Sequence, residues 1–208
     1  MKANRYPDYI GVSEVTTQSF EHMRVEAKFE GQPSIMFDEP KGFDIGDPPD
    51  LQGQSRGWTP VHAQLAALAG CTAITVTVVA RDQGFKYANL STRIKSLIDI
   101  RGFFFDLHLQ PRYEQVNFEL RVDTREPLLR IKQLARETSR RCPQLGLFRA
   151  AGVPLLITWY RGQGRSPLFQ EKFSMPRGRT PEQLLISQRA KAQAAARKDK
   201  ARGRKRAS

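Results

Sequence analysis

Apolar residues recur along this chain with two different periods. Met23, Val25, Ala27 and Phe29 alternate with polar neighbours, the period of a half-buried strand, and the apolar segment "PSIMF" ending at Phe37 is expected to pair with it. In "GFFFDLHLQ", Phe103, Phe105, Leu107 and Leu109 face one way and Phe104, Asp106, His108 and Gln110 the other. Val116, Phe118, Leu120 and Val122 repeat that alternation in "VNFELRV". These two segments read as antiparallel strands joined around "PRYEQ". "VPLLITWY", 153–160, reads as a final strand of the body.

Between the strand patterns lie two helical ones. Thr59 and Pro60 are an N-cap and a first helical residue, opening a helix that runs to about Asp82. Its second half, "TAITVTVV", is β-branched, so local propensity opposes the helix there. Leu68, Cys71, Thr75 and Val78 would form one stripe of it. A second helix follows Thr124, with Glu126 and Pro127 in its first turn, and must stop at Pro143. On it Leu128, Ile131, Ala135, Thr138 and Cys142 share an inward stripe, while Lys132, Arg136 and Arg140 are solvated. Both cysteines are therefore expected on inward faces. The stretch 37–58, dense in Gly, Pro and Asp, reads as a long loop.

Length and composition turn these elements into one domain. With 208 residues, 39% of them hydrophobic, the chain can bury a sizeable core. The expected organisation is an N-terminal arm over 1–20, an α+β body over 21–175 and a basic extension over 176–208. The net charge of +13 is concentrated at the C-terminal end, where residues 177–208 hold eleven Lys/Arg against two acids. Arg177, Arg179, Arg189, Lys191, Arg197, Lys198, Lys200, Arg202, Arg204, Lys205 and Arg206 supply it, and the tail "QRAKAQAAARKDKARGRKRAS" has almost no apolar residues beyond alanine. Such a segment has no core of its own and suits a polyanion. Thr180 and Pro181 in "TPEQLLISQ" would start a helix in it.

The apolar run "LAALAGCTAITVTVV" reads as too short and too polar for a membrane span, and "MKANRYPDYIGVSEV" shows no signal or transit pattern. Two cysteines make no secreted disulfide framework. An intracellular, soluble protein is expected, without a membrane partner. His22, His62 and His108 have no ligand spacing to Cys or Asp, so no metal site is expected. "GFDIGDPPD" lacks a helix at phosphate-loop spacing, which argues against nucleotide binding.

The paired motif "TPVHAQLAALAGCTAITV" and, 71 positions after Cys71, "RRCP" resembles the OsmC/Ohr family of thiol-dependent hydroperoxide reductases. "DEPKGFDIGDPP" is similar to that family's loop before its first cysteine helix, and the resemblance spans Arg24 to Ile157. It implies strongly curved antiparallel sheets around two long central helices, in an intertwined homodimer. It also implies that Cys71 is the peroxidatic thiol and Cys142 the resolving one, recycled by a dithiol reductant with no other cofactor. The Ohr branch adds an arginine held by a glutamate just after the helix-starting proline. Here that position is Val61, and His62 stands where related branches place an acid. Arg24 and Arg56 are the candidate thiolate partners, although each is equally an ordinary solvated charge.

Two functions follow. In one, the fold serves as a structural component of a ribonucleoprotein, a mitochondrial ribosome or its assembly machinery, with the basic extension along RNA phosphates and neighbouring proteins around the body. In the other, the chain is an organic hydroperoxide reductase in which Cys71 and Cys142 cycle.

Overall fold

The computed structural model describes residues 13–20, 23–41, 53–99, 103 and 111–173. The basic extension, His22 and His108 lie outside the described residues. The chain divides into two compact units, 1–70 and 71–208.

In the first unit, β1 (Thr16–Ser19), β2 (Val25–Lys28) and β3 (Ile35–Phe37) form an antiparallel sheet in chain order. Val25 pairs with both Ser19 and Phe37, so the expected pairing of "PSIMF" with its predecessor is present. The chain after β3 is held by one buried carboxylate. Asp38, 1% exposed, accepts hydrogen bonds from the N–H groups of Glu39 (2.9 Å), Gln54 (3.1 Å) and Arg56 (2.9 Å). A buried charge is tolerable when its lone pairs are filled in this way. Trp58 N–H donates to Met36 O at 3.0 Å, and Asp38 N–H to Trp58 O at 3.1 Å, bringing the chain to the start of the first helix.

That helix, α1 (Pro60–Asp82), has the expected bounds. Thr59 caps it, accepting the His62 N–H on its hydroxyl at 3.1 Å and the Ala63 N–H on its carbonyl at 3.0 Å. The propensity conflict is resolved in favour of helix: Thr75 and Thr77 donate their hydroxyls to the Cys71 and Ala73 carbonyls one turn back. The buried stripe is Leu65, Leu68, Thr72, Val76 and Val79, one position round from the expected Leu68, Cys71, Thr75 and Val78. An apolar pattern this broad admits either choice, and Cys71, Thr75 and Val78 end half-buried at its edge. A second correction concerns the membrane: as one 23-residue helix, α1 is by length and composition long and apolar enough to cross one.

The second unit holds a four-stranded sheet, β4 (Asn89–Asp99), β5 (Arg112–Asp123), β6 (Leu155–Arg161) and β7 (Phe169–Phe173), in that order. It is mixed rather than all antiparallel, because β5 and β6 run parallel, Val116 beside Leu155 and Val122 beside Arg161. A parallel pair needs a long crossover. Here α2 (Leu128–Arg141) and α3 (Pro143–Ala150) supply it.

Three strand expectations change. The partner of β5 is β4, which its weak alternation concealed, so "PRYEQ" is no turn and most of it lies inside β5. Phe103 has helical rather than extended backbone, and 104–110 lie outside the described residues. The segment 153–160 does not end the body, since β7 follows it.

Val116, Phe118, Leu120 and Val122 are fully buried on one face of β5, as their alternation predicts. Leu155, Ile157 and Trp159 extend that face along β6, and α2 contributes Ile131, Leu134 and Ala135 to the buried set. On α2 the stripe holds at Ile131, Ala135, Thr138 and Cys142, whereas Leu128 is exposed and Pro127 sits at the N-cap.

Candidate active site: a paired thiol

Pro143 creates the site. Its ring cannot continue α2 and it restrains the residue before it to extended backbone, so Cys142 sits at φ −73°, ψ 116°. Pro143 is also an ideal first residue for a new helix, and α3 begins there. Cys142 is thus at once the C-cap of α2, its N–H on Thr138 O at 2.9 Å, and the N-cap of α3. Its sulfur faces the Leu145 N–H in the first turn of α3, the positive end of that helix.

The structure brings Cys71 of α1 to the same place. The two sulfurs are 3.5 Å apart, both free thiols. A disulfide needs about 2 Å between the sulfurs. Cys142 is buried, 1% exposed, and Cys71 is half-buried, so Cys71 is the more accessible of the two residues.

The surroundings treat the two thiols differently. Burial pushes the Cys71 thiol above its ordinary range, and the adjacent Cys142 pushes the same way. The Gln144 N–H and the Thr75 hydroxyl only partly offset them. For Cys142, burial is again the largest single influence, yet its hydrogen bonds together outweigh it and hold the thiol below the ordinary range. They come from the Leu145 N–H, the Thr72 hydroxyl (3.5 Å), Cys71 and Thr75. The sulfur closes no capping bond of standard geometry on α3. The Leu145 N–H therefore acts as a nearby dipole more than as a short bond.

Sequence reasoning found both sulfurs and their meeting, but not these neutral groups. The signal for Thr72 was present in "GCTAIT", a hydroxyl beside the cysteine; the N–H groups have no side-chain signature. Arg24 and Arg56 lie in the first unit. The Arg24 guanidinium stands 5.6 Å over the Phe20 ring, and Arg56 gives its N–H to Asp38. The first turn of α1 carries no acid. His62 is exposed and lines a small surface pocket with Trp58 and Pro40. Among the described residues no cluster of metal-ligating side chains occurs.

Fold and site define an α+β protein with a dithiol seated at a break between helices. Residues 53–157, half of the chain, match the family described as OsmC-like protein, and the chain belongs to that family. Among solved structures it is similar to an OsmC-like protein from Mycoplasma pneumoniae (17% identity, TM-score 0.55, covering 73% of this chain and 99% of that one). An organic hydroperoxide resistance protein from Elizabethkingia anophelis is comparable (13%, TM-score 0.57, 75% and 100%). So is an organic hydroperoxide resistance protein OsmC from Legionella pneumophila (13%, TM-score 0.53, 74% and 99%). At these identities the likeness is one of fold. No curated protein matches the sequence.

Proposed function

We propose that this protein is a cysteine-based reductase of organic hydroperoxides. The observation that carries the reading is the pair of free sulfurs 3.5 Å apart, one accessible and one buried. Structural neighbours named for organic hydroperoxide resistance support the substrate class. The Cys71 thiolate attacks the peroxide, forming an S–O bond as the O–O bond breaks and the alcohol departs. Cys142 then displaces hydroxide from the Cys71 sulfenic acid to give the disulfide, and an external dithiol returns both sulfurs to thiols. The test is consumption of an organic hydroperoxide by the reduced protein in the presence of a dithiol. Cys71→Ser is expected to abolish turnover. Turnover no faster than that of free cysteine would remove the reading.

The charge of residues 177–208 favours a second reading, a component of a ribonucleoprotein such as a mitochondrial ribosome or its assembly machinery, bound to RNA through that extension. RNA binding that weakens steeply with salt and is lost on deleting 177–208 supports it. Equal binding by the truncated chain removes it.

A further inference from the structure

We infer that Cys142 does more than resolve the intermediate: it is the base that ionises Cys71, with Thr72 and the first turn of α3 as its positioning groups. The catalytic consequence rests on the peroxidase reading above; the placement of the proton does not.

Cys71 sits where ionisation is difficult. The more accessible cysteine is the one whose surroundings oppose its ionisation, because it is desolvated and sits beside a second sulfur. A peroxide is attacked by a thiolate, so the Cys71 proton must have somewhere to go. The Cys142 sulfur, 3.5 Å away, is an ionisable group in hydrogen-bond contact with Cys71. The groups that favour the Cys142 thiolate are neutral, chiefly the Leu145 N–H and the Thr72 hydroxyl at 3.5 Å, while the Thr75 hydroxyl gives its proton to the Cys71 carbonyl at 2.8 Å. The charged side chains nearest in sequence are turned elsewhere. Arg141 holds Asp82 at 2.7 Å, and Arg149 donates to the Leu145 and Ser139 carbonyls. A helix start and the Thr72 hydroxyl thus do here what a cation does at other reactive cysteines.

The proton then completes a closed cycle. With both thiols protonated, Cys142 donates to Cys71; when the pair holds one proton, it sits on Cys71, which then donates to the Cys142 thiolate. On attack, Cys71 passes its proton to Cys142 as its S–O bond forms and the peroxide O–O bond breaks. The alkoxide leaves as alcohol by taking that proton back from Cys142. Cys142 is then again a thiolate, beside a sulfenic acid whose sulfur it attacks, forming the S–S bond with loss of hydroxide. A sulfur that served only as resolving thiol would have to be ionised separately at this point.

Two measurements test this. The first needs no turnover: site-resolved titration of the wild-type protein by the 13Cβ shift of labelled cysteine. Cys142 is expected to lose its proton at lower pH than Cys71. Thr72→Val should raise the Cys142 midpoint and Thr72→Ser restore it. Cys71 ionising first, or a midpoint indifferent to Thr72, would falsify the assignment.

The second is the single-turnover rate of sulfenic acid formation at Cys71, trapped with a 1,3-diketone probe. Cys142→Ser is expected to slow it on the order of 100-fold at neutral pH, the scale of a lost general base, with the deficit shrinking as pH rises. Formation at the wild-type rate returns Cys142 to resolution alone. A protein that shows the expected titration yet consumes no hydroperoxide keeps the proton assignment and loses the peroxidase reading.

Discussion

Glu171 illustrates how one side chain can be well bonded and still costly. It lies on β7 opposite Ile157, half-buried, accepting the Trp159 indole N–H at 3.3 Å and the Ser139 hydroxyl at 3.3 Å. Burial raises its pKa, and those two bonds with nearby Arg149 and Arg136 only partly oppose the rise. The folded chain therefore keeps this proton to higher pH than the unfolded one. Stability is greatest below the ordinary carboxylate range of about 4.3 and declines as pH climbs through the raised folded value. Glu171→Gln keeps an acceptor without the charge. Its melting temperature relative to wild type should improve from pH 4 to pH 7 and then level off. A deficit that is the same at every pH would show that the carboxylate itself, not its desolvation, matters. The indole and hydroxyl that enclose it come from β6 and α2, so the residues next to Glu171 in sequence carry no sign of them.

Among the elements, the approach to α1 depends on absent side chains. A Cβ at Gly57 would stand 2.3 Å from the Met36 carbonyl oxygen, and one at Gly53 only 2.0 Å from that of Glu39. Gly57→Ala must push β3 and the loop apart, breaking the Trp58–Met36 hydrogen bond and straining the Asp38 cluster. A loss of about 1–3 kcal/mol is expected, the usual range for overpacking, read as a lower midpoint in urea. An unchanged midpoint would mean that this segment is not part of the cooperative fold. The start of α1 was legible because Thr59 and Pro60 act locally. The close approach was not, since it joins backbone atoms some twenty positions apart in sequence. The shifted stripe on α1 has a similar origin: with apolar residues on most sides, helical period alone could not choose between Cys71 and Thr72 for the buried position.

For the whole molecule, the uncovered surface of α1 is the outstanding feature. Ile74 is 68% exposed on a helix apolar enough to cross a membrane. A second copy of the chain laid along α1 would bury that surface. Ile74→Lys should then turn a dimer into a monomer by light scattering after size exclusion, at about the loss of one buried aliphatic side chain, 1.5–3 kcal/mol per copy. If the wild-type chain is monomeric and instead partitions into lipid vesicles, the surface has a different occupant.

What the sequence determined alone is what depends on near neighbours along the chain. The cap and first residue of α1, the fully buried face of β5, the stop at Pro143 and the inward Cys142 are all set by side-chain chemistry at helical or strand spacing. The spacing of two cysteine motifs also carried the family. What only the tertiary structure decided is what depends on who lies alongside. It paired β5 with β4 and, in parallel, with β6, because a crossover of two helices lets distant strands become neighbours. It also made two similar thiols unequal, by seating one sulfur against hydroxyl and N–H donors and leaving the other desolvated at the edge of its helix.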